Sequence, residues 1–216
     1  MNSDKFFYVI VTVFTVLILF GIVFFSSKSV SNKSSKETKK IDTKELVGES
    51  PHIKGDLEKA KVIIVEFGDF QCPACKAIQP VVKQINEEFP NEVAFVYRHF
   101  PLISIHKYAF DAAVAAEAAA LQNRFFDYHD LLYENQKEND EPLKKEDFMS
   151  FAKELGLNED QFAQDLESEN LKNRVQTDLN YARSLGLRGT PTFFVNGEQV
   201  PNNELYNKVK SLVSGN

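Results

Sequence analysis

The chain has 216 residues, of which 43% are hydrophobic, and its formal net charge at pH 7 is −6. This length accommodates one domain with an insertion once the first 50 residues are set aside, and the acidic balance argues against nucleic-acid binding. The two cysteines are too few for a scaffold of structural disulfides.

The amino-terminal region predicts a membrane anchor. A short tail, residues 1–5, precedes an uncharged apolar run at residues 6–25. A helix of this length spans about 30 Å, the thickness of a bilayer core. A cleaved signal peptide is the alternative, although its apolar region is usually shorter, about 7–15 residues. No cysteine follows the run directly, which excludes lipoprotein processing. Residues 26–50 are rich in Ser and Lys, which predicts a flexible linker.

A folded domain is predicted over residues 51–216. The apolar, β-branched run at 62–67 predicts a buried strand, and a shorter strand is expected near 52–53. Residues 72–89 carry apolar side chains at three- and four-residue steps, which predicts a helix, and 93–97 is again rich in β-formers. Strand, helix and strand at this spacing predict a βαβ unit, hence an α/β fold with parallel strands.

Strand signals then stop and helical patterns take over. Seven alanines between residues 112 and 120 and several amphipathic segments predict a helical insertion at approximately 104–186. Two short β-runs, 192–196 and 198–200, meet at Asn196-Gly197, which is a strong hairpin signal. A last helix is predicted near 203–213.

The two cysteines, Cys72 and Cys75, lie three positions apart where the predicted strand gives way to the helix. Unpaired amides and the dipole at a helix start favour a thiolate, which makes the sulfur reactive. Cys72 is therefore predicted to be the nucleophile and Cys75 the resolving thiol. A zinc half-site is a weaker interpretation, because there is no second cysteine pair or His-x₃₋₅-His motif. A structural disulfide would close so short a loop that it adds only about 2 kcal/mol.

The motif Cys72-Pro73-Ala74-Cys75 after its strand resembles the active site of the thioredoxin superfamily, and more specifically of the DsbA-like thiol:disulfide oxidoreductases. Gly189-Thr190-Pro191-Thr192 resembles the cis-proline loop of that family. Residues 98–102 and the alanine-rich region are similar to its membrane-anchored or secreted bacterial branch, and the likeness covers roughly residues 55–214. It implies a thioredoxin fold with an inserted α-helical subdomain, no bound cofactor and no metal.

The resemblance also implies a role for a carboxyl group. Glu66, six residues before Cys72 in the predicted strand, matches an acidic residue that accepts the proton of the resolving cysteine. A buried carboxylate is costly without a partner or a task, and burial should raise its pKa. A salt bridge, for example with Lys76, is the alternative.

Five further residues are expected to shape the site. Thr190 and Pro191 would form a cis peptide whose backbone edge binds substrate like an added strand. Pro73 and Ala74 are expected to tune the cysteine pair, and Ala74 stands where the well-known oxidant of the family has histidine. Phe70, on the loop before Cys72, either contacts unfolded clients or packs against the insertion. The four histidines are predicted to be structural or surface residues: His52, His99, His106 and His129.

These features predict a thiol:disulfide oxidoreductase, acting as a dithiol oxidase that introduces disulfides into reduced, unfolded exported proteins. By resemblance, a DsbB-like membrane quinone reductase would reoxidise it. The alternatives are a reductase or isomerase of the same fold, and a redox-inert metal-binding or interaction module. Lysines after the apolar run would place the domain in the cytoplasm by the positive-inside rule. The redox chemistry requires an oxidising space, so the prediction is a single-pass bacterial membrane protein with an extracytoplasmic domain.

Overall fold

The computed structural model describes residues 40–49, 52–137, 141 and 143–215, which belong to one compact unit. Within these ranges no helix is both long enough and apolar enough to cross a membrane, and the predicted span 6–25 lies outside them. The elements in chain order are α1 (Thr43–Val47), β1 (His52–Lys54), β2 (Val62–Gly68), α2 (Pro73–Glu88), β3 (Val93–His99), α3 (Ala109–Ala120), α4 (Phe125–Glu134), α5 (Lys145–Glu154), α6 (Glu159–Asp165), α7 (Glu169–Ser184), β4 (Thr192–Val195), β5 (Glu198–Val200), a 3₁₀ turn (Asn202–Glu204) and α8 (Leu205–Ser214).

Five strands of the described chain form one mixed sheet in the order β1-β3-β2-β4-β5. Strands β2 and β3 are parallel, as predicted for the βαβ unit, with Val62 opposite Val93 and Gly68 opposite His99. The other neighbouring strands are antiparallel. The central strand β2 therefore delivers its carboxyl end, and the loop after it, between β3 and β4.

The predicted hairpin joins β4 to β5 and is confirmed. Asn196 and Gly197 both have positive φ, 48° and 86°, as a two-residue turn of this hand requires. The Asn196 side chain accepts a hydrogen bond from the Ile63 backbone N–H at 2.8 Å, which fixes the hairpin against β2.

Alternate residues of the sheet face two apolar layers. Val65, Phe67 and Phe194 pack with Leu46 of α1 and Leu179 of α7 on one face. The opposite face carries Ile64, Phe95 and Tyr97 into the larger core that includes α2, α8 and the helices after β3. Burial on both faces explains why β2 and β3 are almost continuously apolar in sequence.

Helices α3 to α7 separate β3 from β4, in the region predicted as an insertion. Helix α3 is apolar on nearly all sides and buried, because its small alanines let neighbouring helices approach closely. Its one buried charged residue is Glu117.

The amino-terminal boundary differs from the prediction. The linker was expected to extend over 26–50, but Thr43–Val47 is the helix α1, with Leu46 fully buried. The Arg98 guanidinium donates to the Leu46 carbonyl oxygen at 2.8 Å and pairs with Asp178 at 2.6 Å. These contacts fix the last residues of the predicted linker to the domain, so the folded unit begins before residue 51.

Candidate active site

Cys72 lies where the sequence places it, between the end of β2 and the start of α2. It is the N-cap residue of α2 with extended backbone angles, and Pro73 opens the helix. The fixed φ of Pro73 suits a first helical turn, where its missing N–H costs no hydrogen bond. Cys75 follows one turn later, and both thiols are free. Cys72 remains 7% exposed whereas Cys75 is fully buried, so a client can reach Cys72 first.

The surroundings of Cys72 stabilise its thiolate. A hydrogen bond from the Cys75 thiol is the largest cause that lowers the pKa of Cys72 to about 5, and the backbone N–H groups of Ala74 and Cys75 add to it. Burial acts on Cys75 in the opposite direction and raises its pKa well above the ordinary value. The pair is therefore divided into one ionised, reachable sulfur and one protonated, buried sulfur.

The Thr190–Pro191 peptide is cis, as predicted. It brings the Thr190 carbonyl oxygen to 3.4 Å from the Cys72 sulfur, across 118 positions of sequence. Thr192, which follows, is the first residue of β4 and pairs with Phe67 of β2. Strand pairing therefore positions the proline loop (residues 189–192) against the cysteine loop (residues 69–72). A backbone edge of the proline loop thus lies beside the Cys72 sulfur.

Glu66 is fully buried in β2, between Tyr97 of β3 and Phe193 of β4. Burial raises its pKa to about 8, and the hydrogen bond from Gln79 opposes this only in part. That bond is long, 3.5 Å to Oε1, while Oε2 has no hydrogen-bond partner. Lys76, the predicted alternative partner, instead donates to the carbonyl oxygens of Glu134 and Gln136. A protonated, poorly solvated carboxyl near the cysteines suits proton transfer.

Phe70 is buried, with 2% of its surface exposed. Its ring contacts Tyr97 of β3, at 5.2 Å between centroids, and Tyr133 and His129 of α4. Of the two predicted roles, packing against the insertion is the one the structure supports. The ring leaves almost no surface for a client, so nothing in the structure supports the predicted client contact.

Ala74 is exposed at the start of α2 and brings no ionisable group to the sulfurs. The local tuning of the pair therefore comes from the helix start itself and from Cys75.

Asp69 is a site residue to which sequence reasoning assigned no role. It is 1% exposed and follows β2 directly. Its carboxylate accepts hydrogen bonds from the Gln71 N–H at 2.7 Å, the Leu102 N–H at 2.8 Å and His106 Nδ1 at 2.7 Å. A polar residue between a buried strand and a reactive cysteine is the signal that could have identified it. His106, expected to be structural or exposed, is brought to the cysteine loop by this pair.

A second buried ionic cluster lies in the interior. His52 and His99 place their Nε2 atoms 2.8 and 2.9 Å from Glu117 Oε1, and the ligand atoms of the three residues lie within 4.8 Å of one another. Burial alone would raise the pKa of Glu117, but hydrogen bonds from His52 and His99 lower it. Arg174 Nε lies 2.6 Å from the same carboxylate oxygen. The guanidinium already supplies a positive charge there, so the geometry fits an ion-pair network joining β1, β3, α3 and α7.

A family model described as thioredoxin matches residues 49–214. BdbD from Bacillus subtilis, in its oxidised form, is similar with a TM-score of 0.67 and 23% identity, covering 78% of this chain and 98% of that one. A thioredoxin-like oxidoreductase from Silicibacter pomeroyi also gives 0.67, with 26% identity and coverage of 79% and 96%. DsbA2 from Pseudomonas aeruginosa gives 0.59 at 26% identity, covering 71% of this chain and 86% of that one.

Curated relatives extend the same region into much longer chains. A protein named Na(+)/H(+) antiporter NhaA 1 from Salinispora arenicola is 40% identical over 148 residues, which are 68% of this chain and 22% of the relative. A similarly named protein from Mycobacterium sp. (strain KMS) is 37% identical over 153 residues, 24% of its length. The chain thus spans less than a quarter of these relatives.

The match covers both halves of the site, the cysteine loop and the cis-proline loop. The geometry adds a cysteine pair with one accessible and one buried sulfur, and a buried acid, an arrangement that suits thiol–disulfide exchange. This chain belongs to the thioredoxin superfamily, among the DsbA-like thiol–disulfide oxidoreductases.

Proposed function

We propose that this protein is a dithiol oxidase, which transfers the Cys72–Cys75 disulfide to reduced exported proteins. The observation that carries the proposal is the stabilised Cys72 thiolate, whose pKa is lowered to about 5 by the Cys75 thiol and the amides of the helix start. Stabilising the thiolate favours the reduced enzyme over its disulfide. A disulfide whose reduced form is stabilised is a strong oxidant.

The exchange proceeds in two displacements. A client thiolate attacks Cys72 Sγ of the oxidised enzyme, the Cys72–Cys75 bond breaks, and Cys75 leaves as a thiolate. The raised pKa of Cys75 means that this sulfur takes up a proton, which the protonated Glu66 supplies. A second client thiolate then attacks the client sulfur of the mixed disulfide, and Cys72 leaves as its stabilised thiolate. The client loses two electrons, and the enzyme gains them.

Client binding follows from the proline loop. The Thr190 carbonyl lies beside Cys72, so an extended client segment can pair with the backbone there while its sulfur reaches Cys72. A membrane quinone reductase of the DsbB kind is the proposed oxidant that restores the disulfide, since each cycle leaves two electrons on the enzyme.

The rival direction is thiol reduction by the same fold. The equilibrium reduction potential of the Cys72–Cys75 pair, measured against glutathione in the full chain, separates the two. A value near that of the strong oxidant DsbA, about −120 mV, supports the oxidase. A value near that of thioredoxin, about −270 mV, would overturn the oxidase and favour the reductase. The Cys72→Ser variant should lose exchange with a dithiol peptide under either outcome.

The proposed location is the outer face of a bacterial membrane, with the run at 6–25 as a single-pass anchor. A similar region occurs in relatives that are named Na(+)/H(+) antiporters, and antiporters are membrane proteins. This supports a membrane-bound setting for the domain. Labelling of intact cells with a membrane-impermeant maleimide, after a membrane-impermeant reductant has opened the Cys72–Cys75 disulfide, tests this. Labelling of Cys72 before lysis is expected, whereas labelling only after lysis would contradict it.

A further inference from the structure

We propose that Asp69 and His106 are positioning residues of the redox centre, whose buried hydrogen bond fixes the main chain beside both cysteines and thereby stabilises the Cys72 thiolate. The inference deepens the proposed redox function and rests on Cys72 being the reactive sulfur. It assigns a task to a carboxylate and an imidazole that the exchange steps themselves do not use.

The Asp69 main chain touches both cysteines. Its carbonyl oxygen accepts the Cys72 N–H at 3.1 Å, and its own N–H donates to the Cys75 sulfur, opposing the rise in the pKa of Cys75 that burial causes. A displacement of this one residue would therefore change the surroundings of both sulfurs together.

The Asp69 side chain determines where that main chain lies. Its carboxylate is fully buried and accepts three hydrogen bonds, two from the backbone N–H groups of Gln71 and Leu102 and one from His106. The Gln71 bond is local, but the Leu102 and His106 bonds cross to the segment after β3. His106 is itself 8% exposed, and its N–H donates to the Leu102 carbonyl oxygen at 2.8 Å, so both donors belong to one turn.

Two more hydrogen bonds connect the chain around the cysteine loop to the segment after β3. Phe100 N–H donates to the Gly68 carbonyl oxygen at 2.8 Å, and Tyr108 N–H donates to the Gln71 side chain at 3.1 Å. The cysteine loop is thus held along its length by residues 100–108, with the Asp69–His106 pair at the centre.

Removing the imidazole would leave a buried carboxylate short of one donor. Such a group is costly, and its less compensated negative charge disfavours a second negative charge on a sulfur nearby. We therefore expect the Cys72 thiolate to be less stable in the variant, with its titration midpoint moved upward by about 0.5–1 pH unit. Near pH 5 this reduces the thiolate fraction about two- to fivefold.

The test is the pH titration of thiolate absorbance at 240 nm in the reduced full chain, with a matched pair of variants. In His106→Asn the amide N–H₂ replaces the Nδ1 donor, whereas in His106→Gln the donor lies where Nε2 was. The expected result is a wild-type midpoint in the Asn variant and a raised midpoint in the Gln and Ala variants. If His106→Ala does not fold, the Asn and Gln pair still decides the question.

The control is His52→Ala, which removes a largely buried imidazole from a different carboxylate, Glu117, and leaves the Asp69–His106 hydrogen bond in place. It should lower the urea midpoint of unfolding without moving the titration midpoint. Folded Gln and Ala variants with the wild-type titration midpoint would overturn the proposal and leave the pair a purely structural role. The titration uses no client, so its result is independent of the oxidase proposal. The positioning role can be overturned while the oxidase proposal stands, and the oxidase proposal can be overturned while the positioning role stands.

Discussion

At the scale of single residues, Glu66 is the group with the most specific task. Its pKa is raised to about 8 because burial disfavours the carboxylate, so near neutral pH it holds a proton. The leaving Cys75 sulfur, whose pKa is raised well above its ordinary value, needs one. In the proposed exchange, proton transfer between them would keep charge from accumulating in an interior that solvates it poorly.

Glu66→Gln is expected to slow oxidation of a dithiol peptide about tenfold at pH 7, since glutamine keeps the shape but supplies no proton. In the native enzyme the rate should fall above about pH 8, where Glu66 ionises, and this fall should vanish in the variant. Stopped-flow measurement from pH 6 to pH 9.5 checks both. Glu87→Gln, which alters an exposed carboxylate on α2, is the control and should change neither.

At the scale of elements, the packing of Tyr97 of β3 leaves no room for a side chain at Gly68, the last residue of β2. A Cβ there would lie 2.6 Å from the Tyr97 hydroxyl, so Gly68→Ala must displace a fully buried ring. The expected cost is about 2–3 kcal/mol in the free energy of unfolding. Gly189→Ala, with no atom within 4 Å of the added carbon, is the control and should cost less than about 1 kcal/mol.

The clash can be assigned to Tyr97 by a double-mutant cycle with urea unfolding. Tyr97→Leu makes room, so the Gly68→Ala change should cost less in that background than in the native one. Equal costs in the two backgrounds would show that the close approach to Tyr97 is not the cause.

Helix α1 packs on α7 and β2 and is also held by Arg98, which donates to the Leu46 carbonyl oxygen and pairs with Asp178. Arg98→Ala would leave Asp178 without the guanidinium and the Leu46 carbonyl without its donor, in a place where both are largely buried. The expected cost is about 3–5 kcal/mol, with faster amide hydrogen exchange in residues 43–47. Lys59→Ala removes the exposed pair with Asp56 and should leave the free energy of unfolding nearly unchanged. Native exchange rates at 43–47 in the Arg98 variant would contradict this account.

At the scale of the whole molecule, sequence patterns predicted what local chemistry specifies. The cysteine pair and the βαβ unit follow from apolar periodicity and from the strand-to-helix junction, all between residues 62 and 99, and the role of Glu66 followed from resemblance. The cis-proline loop followed from resemblance alone. Its contact with Cys72 joins positions 118 apart and depends on the pairing of β4 with β2.

Contacts between distant polar residues could not be predicted in the same way. Asp69 and His106 are 37 positions apart, and Arg174 reaches His52 across 122 positions. None of these residues stands in a periodic pattern, so only the folded chain shows which carboxylate meets which imidazole. Helix α1 was missed because Leu46 and Val47 are two apolar residues in a polar segment, and their burial comes from packing on α7 and β2.

The pH dependence of the reduction potential measures how many protons the molecule takes up when the Cys72–Cys75 disulfide is reduced. The pKa of Cys72 is about 5 and that of Cys75 is well above the ordinary value. Between pH 5 and pH 8, reduction of the disulfide therefore takes up two electrons and one proton, on Cys75. Below pH 5 it takes up a second proton, on Cys72. Each proton contributes about 30 mV per pH unit in a two-electron couple.

The reduction potential should therefore fall by about 30 mV per pH unit above pH 5 and by about 60 mV per pH unit below it. The sign follows from proton uptake: raising the pH disfavours the reduced form, and the slope halves above the pKa of Cys72 because that sulfur then stays ionised after reduction. Glutathione equilibria between pH 4 and pH 8 locate the change of slope. If it lies near pH 9, where an ordinary thiol ionises, Cys75 and the helix-start amides do not stabilise Cys72. Glu66→Gln should leave the change of slope near pH 5, because Glu66 holds its proton on both sides of that value.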